Sequence, residues 1–123
     1  MYHAGLDGAK LDGANLSDTW MNDADLSRAR LIGIDLSHAV MVGVNLTESN
    51  LTRANLQGAL LYPLLKDDDD LEFEVTDIPS LYADLSKADL TGANLTGAKV
   101  KDDQLKQAKS LEGATMPDGS KHD

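Results

Sequence analysis

Leucine or methionine stands at every fifth position from Leu6 to Leu61, through Leu11, Leu16, Met21, Leu26, Leu31, Leu36, Met41, Leu46, Leu51 and Leu56. Two residues before each of these twelve centres comes a small or β-branched residue, which is alanine in eight cases. The phase breaks once and resumes at Leu85, Leu90, Leu95 and Val100, each preceded by Ala83, Ala88, Ala93 or Ala98, so sixteen units share one period. An α-helix turns ~100° per residue, so a five-residue step would rotate successive centres by ~140° and scatter them around the cylinder. In extended backbone, residues two apart share a face, and the Ala and Leu of one unit point the same way. Gly8, Gly13, Gly33, Gly43, Gly58, Gly92 and Gly97 recur two places after a centre and mark a bend. A bend every five residues winds the chain into a coil, and stacked coils pair their backbone groups around a continuous Leu/Ala column.

Composition agrees with a core made of one repeated packing unit. The 123 residues include 20 Leu and 14 Ala but only one Trp, three Tyr and one Phe. Without Cys there is no disulfide framework, thiolate zinc site or thiol nucleophile. A net charge of −10 argues against direct nucleic-acid binding and against attraction to anionic lipid. No run of 18 apolar residues is present, and Met1-Tyr2-His3-Ala4-Gly5-Leu6-Asp7 does not read as a signal peptide. A soluble cytoplasmic protein, off the membrane, is expected.

Ala14-Asn15-Leu16, Ala24-Asp25-Leu26, Ala54-Asn55-Leu56, Ala83-Asp84-Leu85, Ala88-Asp89-Leu90 and Ala93-Asn94-Leu95 carry a specific resemblance. They resemble the A(D/N)LXX motif of pentapeptide-repeat proteins, especially the small ones common in cyanobacteria. The resemblance implies an all-β solenoid, a right-handed quadrilateral β-helix with four pentads per coil. Sixteen units then make about four coils, ~19 Å tall at ~4.8 Å per coil. On that plan the single domain divides into coils 1–3 (residues 4–63), an inserted loop (64–82), coil 4 (83–102), a short capping helix (103–111) and a polar tail (112–123).

The insertion follows from the phase. After Leu61 the next centre falls at 66 but register returns at Leu85, which leaves 19 residues over. Threading them through the coil would place Lys66 at a centre and turn Asp69 and Glu74 inward, and burying unpaired charge costs several kcal/mol. The segment therefore leaves the column. It holds seven acids against one Lys, including the run Asp67-Asp68-Asp69-Asp70, and Leu71-Glu72-Phe73-Glu74-Val75 alternates like a short half-buried strand.

Outward positions also align at twenty-residue spacing. Trp20, Val40 and Leu60 form one vertical apolar stripe with Val42 and Tyr62 alongside. Such a stripe is a partner site or the seat of an internal segment. The loop leaves from the same side and carries Phe73, so docking of the loop on the stripe is the favoured covering. The candidate interaction surface is Trp20, Val40, Leu60, Tyr62, Asp67, Asp68, Asp69, Asp70 and Phe73. At the C-terminal end, acids then bases over 101–109 suit a short helix whose Leu105 and Ala108 cover the last coil. Leu111 to Met116 keeps the spacing for one more weak unit, and Pro117-Asp118-Gly119 turns into the tail. At the other end only Met1-Tyr2-His3 precede the first unit, and exposed edge backbone there favours an end-to-end homodimer through the N-terminal coil.

Catalytic signatures are missing. His3, His38 and His122 are far apart, and there is no HExxH, GxSxG or glycine-rich phosphate loop. The early aspartates occupy outward or bend positions where Asp bonds nearby backbone, and the Asp67–Asp70 run lacks the spaced ligands of a calcium loop. No catalytic, cofactor or metal site is expected. The expectation is a non-catalytic structural or interaction module with an unidentified protein partner. The alternative is a DNA mimic acting on DNA gyrase, since some proteins of the resembled family are acidic rods of that kind. Coil residues 4–63 and 83–102 carry ten acids against seven bases, whereas ~19 Å of duplex carries ~11 phosphate charges. The column is too short and too neutral for that role.

Overall fold

A computed structural model describes residues 4–62 and 82–122. Its backbone is a ladder of single-residue parallel bridges, each joining a residue to the one twenty further on: Gly5 to Asp25, Lys10 to Arg30, Asn15 to Asp35 and Trp20 to Val40 in the first turn. Four pentads therefore complete one turn, and each contributes one rung to one side of the coil. Between the third and fourth turns the step becomes 39 residues, as in Asn45 to Asp84 and Leu60 to Lys99, which is one turn plus the 19-residue insertion. Register passes across the break unchanged. The N–H of Ala83 donates to the carbonyl of Leu61 at 2.8 Å, as that of Ala24 donates to Met21 at 3.1 Å in an uninterrupted corner.

Each corner is a four-residue turn closed by that bond, and its third residue has positive φ, the requirement of a type II turn. Glycine fills many of these positions, for example Gly8 at φ 71° and Gly33 at 66°. Seven are held by other residues: Asp18, Asp23, Arg28, His38, Glu48, Arg53 and Lys87, all between 56° and 62°. A side chain in this region costs roughly 1–2 kcal/mol, and the closed corner and stacked neighbours compensate for it. Side chains at these positions project outward; His38 lies so flat over the next corner that a Cβ on Gly58 would sit 2.4 Å from its Nδ1.

Inside, the centres and the residues two before them form the core. From Met21 to Leu95 the Leu and Met centres have no solvent exposure, and the accompanying Ala, Ile and Val residues have 5% or less through Ala98. The first turn differs: Ala4, Leu6, Leu11, Ala14 and Leu16 are only partly buried.

The C-terminal end departs from the boundaries read from sequence. Helix α1 spans Asp102–Lys106, five residues rather than the nine expected over 103–111. The chain then re-enters the ladder, with Asp89 bridging Ser110 and Asn94 bridging Thr115. Residues 107–117 thus make half of a fifth coil, and Ala114 is fully buried. Residues 112–123 are therefore not simply a polar tail. The physical reason is that Leu111, Ala114 and Met116 keep the spacing that turns apolar side chains onto Leu90 and Leu95, which outweighs continuing a helix. After Pro117 the chain doubles back, Lys121 pairs antiparallel with Thr115, and His122 N–H donates to Ala114 at 2.8 Å.

Candidate interaction surface

Three sides of the coil share one surface chemistry. The residue before each centre is mostly Asn or Asp, and its Oδ1 accepts the N–H two residues on, as in Ser17 N–H to Asn15 and Ser37 N–H to Asp35, both 3.0 Å. Where that residue is Ser or Thr its hydroxyl usually donates to the same oxygen, as Ser37 does to Asp35 at 2.6 Å and Thr96 to Asn94 at 2.6 Å. This explains the D/N of the motif: a short acceptor there captures a turn N–H that no rung can reach. Where the acceptor is a carboxylate, the bonds favour the charged form. The Ser27 and Ser37 hydroxyls and N–H groups hold Asp25 and Asp35 below the usual carboxylate range. The Ser86 and Thr91 hydroxyls do the same for Asp84 and Asp89 against partial burial. Of the early aspartates, Asp12 accepts Ile32 N–H at 2.9 Å and pairs with Arg30 at 2.5 Å, while Asp7 pairs with Arg28 at 3.7 Å.

The fourth side has none of this. Trp20, Val40, Leu60 and Lys99 occupy its rungs, linked in a continuous ladder. The parallel column is Asn22, Val42, Tyr62 and Lys101. Trp20 is 61% exposed, the largest exposed apolar side chain among the described residues, and Val40, Val42, Leu60 and Tyr62 are half-buried. The structure brings together four of the residues singled out from sequence: Trp20, Val40, Leu60 and Tyr62. Asp67, Asp68, Asp69, Asp70 and Phe73 lie outside the described residues, as does the expected docking of the loop on the stripe.

Sequence reasoning missed how the insertion is anchored. Tyr62 stands just before it and Tyr82 is its last residue, their ring centroids 6.1 Å apart and tilted by 58°. The Lys101 ammonium lies 5.5 Å from one ring and 5.4 Å from the other, within range of cation–π attraction. Beneath them the buried Gln104 of α1 donates its amide to the carbonyls of Leu61 at 2.9 Å and Ala83 at 3.1 Å, while its Oε1 accepts Lys101 N–H at 2.8 Å. In lower coils the carbonyl equivalent to Ala83 is taken by the next coil's backbone, as Ala24 is by Asn45 N–H at 3.0 Å. Gln104 replaces that missing donor. The available signal was phase: carrying the ladder across the 19-residue break puts Lys99 over Leu60 and Lys101 over Tyr62.

Concavities are shallow. A depression of about 410 Å³ is lined by Glu48, Ser49, Asn50, Lys87, Asp89 and Lys109. Its hydroxyl, Ser49, is buried and donates to the Leu46 carbonyl at 2.7 Å, with no histidine among the lining residues to activate it. A second, of about 230 Å³, lies beside Tyr82, Asp84 and Gln104. Among the described residues no three His, Asp or Glu side chains converge to hold a metal ion.

Comparison with known proteins follows the same period. The family model for pentapeptide repeats matches eight copies over residues 1–28, 29–62 and 82–102. Among solved structures, HetL of the cyanobacterium Nostoc sp. strain PCC 7120, a pentapeptide repeat protein involved in heterocyst differentiation regulation, is 28% identical. The alignment covers 98% of this chain and 65% of HetL, with a TM-score of 0.33. A pentapeptide repeat protein of the Arabidopsis thaliana thylakoid lumen is 22% identical over 90% of this chain and 63% of its own, with a TM-score of 0.38. A further Nostoc pentapeptide repeat protein is 27% identical over 81% and 71%, with a TM-score of 0.44. This chain thus spans about 65% and 63% of the length of the first two. No curated protein sequence matches it.

Proposed function

The chain belongs to the pentapeptide-repeat family, and from that premise we propose that it is a non-catalytic interaction module, a right-handed quadrilateral β-helix that presents its fourth side to a protein partner. The single observation that carries the reading is the contrast in side-chain chemistry: Trp20, Val40 and Leu60 stand at rungs that on the other sides are mostly Asn or Asp, with Tyr62 beside them. Large apolar side chains held at the surface of a rigid element are the usual anchors of a protein interface. The segment joined to this side carries net charge −6 over residues 64–82, including Asp67–Asp70. The partner that fits is a protein surface with an apolar centre and basic residues around it, since charge of opposite sign steers the encounter.

The test uses substitutions that restore the motif. Trp20→Asn, Val40→Asn and Leu60→Asn together place Asx residues where the other sides have them, so the coil is retained while the stripe is removed. A partner captured by the intact protein should bind the triple variant at least tenfold more weakly in titration. Its binding should also weaken with added salt and on deletion of residues 64–82. Equal affinity for the native and triple-variant proteins would overturn the proposal. Protection or inhibition of DNA gyrase at micromolar protein in a supercoiling assay would replace it with the DNA-mimic reading, which coil residues carrying ten acids and seven bases do not support.

A further inference from the structure

The fourth side is apolar in the middle and oppositely charged at its two ends. In the first coil Trp20 stands between Asp18 and Asp23, which occupy the two corners of this side at positive φ and are exposed. In the fourth coil the two columns reach Lys99, which is exposed, and Lys101, whose ammonium lies 5.5 Å from the centre of the Tyr62 ring. Between these ends come Val40, Val42, Leu60 and Tyr62. The corners beside this middle hold Gly43, Gly58 and His38, and His38 lies flat over Gly58, so among the described residues the corners raise no barrier around it. Asp102 and Asp103 follow Lys101 in α1, and Asp103 lines the depression beside Tyr82 and Asp84, off this side.

We propose that this side docks the same side of a second copy of the chain, the two columns lying antiparallel about a two-fold axis that crosses the stripe between Val40 and Leu60. It rests on the reading of the fourth side as an interface and supplies a partner for it, since the second copy's fourth side is itself an apolar centre with two lysines beside it. The order of residues selects this occupant. From first coil to fourth the rungs run aromatic, aliphatic, aliphatic, cation. A two-fold axis across the stripe sets each column against its own copy in reverse order. Trp20 then meets the second copy's Lys99 in a cation–π pairing, and Val40 meets Leu60. In the neighbouring column Val42 meets Tyr62. Lys99 arrives beside Asp18 and Lys101 beside Asp23, and every pairing occurs twice. A parallel arrangement would set lysine against lysine and aspartate against aspartate. The rungs through Asp25 and Asp84, and those through Asp35, bear acids and no base, so a second copy finds no complement there.

Size and charge set its strength. A side ~20 Å wide and ~19 Å tall covers ~400 Å² per copy, or ~800 Å² in total, below the roughly 1,200–2,000 Å² of stable complexes. Each copy also carries a net charge of −10, of which −6 lies in residues 64–82, so two copies repel at long range. The dimer is therefore weak and concentration-dependent. That repulsion opposes any pairing of two copies, whereas the charges at the ends of the stripe favour this one.

Sedimentation of the full chain from ~1 µM to ~1 mM should take the mass from 13.2 kDa towards twice that. Lys99→Glu should weaken dimerisation by about fivefold or more, and adding Asp18→Lys to it should recover most of the loss. Lys10→Glu changes the net charge equally on the opposite side and should stay within about twofold of the native chain. All three positions are exposed, and circular dichroism checks that the variants fold. A mass that stays at 13.2 kDa throughout, or a Lys99→Glu chain that dimerises as well as Lys10→Glu, overturns the proposal. These measurements use the chain alone, so their failure leaves the titration against a captured partner to be judged by itself. Spin labels read the orientation, because the chain has no native Cys. Ser17 in the first coil and Thr96 in the fourth both adjoin the corner that leads into the fourth side. A label at Ser17→Cys should lie several ångströms closer to one at Thr96→Cys of the second copy than to its own counterpart, which is three coil spacings of ~4.8 Å away along the axis. Equal or reversed distances overturn the proposal, and the shortest distance between two Ser17 labels would place the contact at the N-terminal coils instead.

Discussion

The third and fourth sides of the coil stand at one corner from each other and solve the same backbone problem by different means. On the third side, Asn15, Asp35, Asn55 and Asn94 each capture the N–H two residues on. The side chain that faces water is then spent on local hydrogen bonding. On the fourth, Trp20, Val40, Leu60 and Lys99 sit at the identical rungs and bring no Asn or Asp acceptor to the N–H two residues on. The coil accepts both because its stability resides in the Leu/Ala column and the rungs, which the two sides share. The outward residue is therefore free to serve something other than the fold, and only the fourth side uses that freedom for apolar surface.

Four substitutions or conditions probe this contrast, in order of expected effect. Gln104→Leu should cost most, about 2–3 kcal/mol, because it strips the carbonyls of Leu61 and Ala83 of a buried donor at a corner that no further coil covers. Thermal unfolding checks it, and a loss under about 1 kcal/mol would mean that water or the backbone substitutes for the amide. Asn55→Ala on the third side should lose about 1 kcal/mol, the net worth of one hydrogen bond to Gln57 N–H. Leu60→Asn on the fourth side should stay within about 0.5 kcal/mol of the native protein in denaturant titration, since a half-buried side chain is exchanged for the acceptor that other rungs possess. If Leu60→Asn proves as costly as Asn55→Ala, the fourth side is structural and the contrast fails.

The smallest effect is that of pH. Asp84 and Asp89 are held below 3.8 by the Ser86 and Thr91 hydroxyls, so their folded-state pKa lies beneath the unfolded one. Their contribution is fully present above about pH 4 and is lost as pH falls through the lowered values. Replacing both with Asn, as positions 45, 50 and 55 already have, should flatten the fall in stability below about pH 4 and leave neutral pH unchanged. Substitutions confined to the fourth-side rungs, which bear no carboxylate, should not alter that acid limb.

The repeat was legible because its cause is local and is repeated sixteen times: a centre, a small residue two before it and a bend two after. Even the break could be measured, since a 39-residue step in the ladder is the 20 of a coil and the 19 counted from Leu61 to Leu85. What sequence did not disclose depends on particular contacts between distant segments. Helix α1 ends at Lys106 because Leu111, Ala114 and Met116 return to the ladder, and one weak unit carries too little periodicity to outweigh a helical charge pattern by inspection. Gln104 reads as an ordinary helix residue until its position 43 residues from Leu61 in sequence proves to be adjacent in space. The seven residues at positive φ are marked only by phase, two places after a centre, since Arg, Lys and Glu rarely adopt that conformation and are carried there by the corners around them.

The preserved bond from Ala83 N–H to Leu61, 2.8 Å across the point where 19 residues depart, has a practical meaning. The corner is closed as though nothing had been spliced into it, so the length and content of the excursion are uncoupled from the geometry of the scaffold. Foreign peptides grafted between Tyr62 and Tyr82 should inherit two fixed, adjacent ends, and the protein becomes a pedestal on which a loop of chosen sequence can be displayed without redesigning what lies beneath.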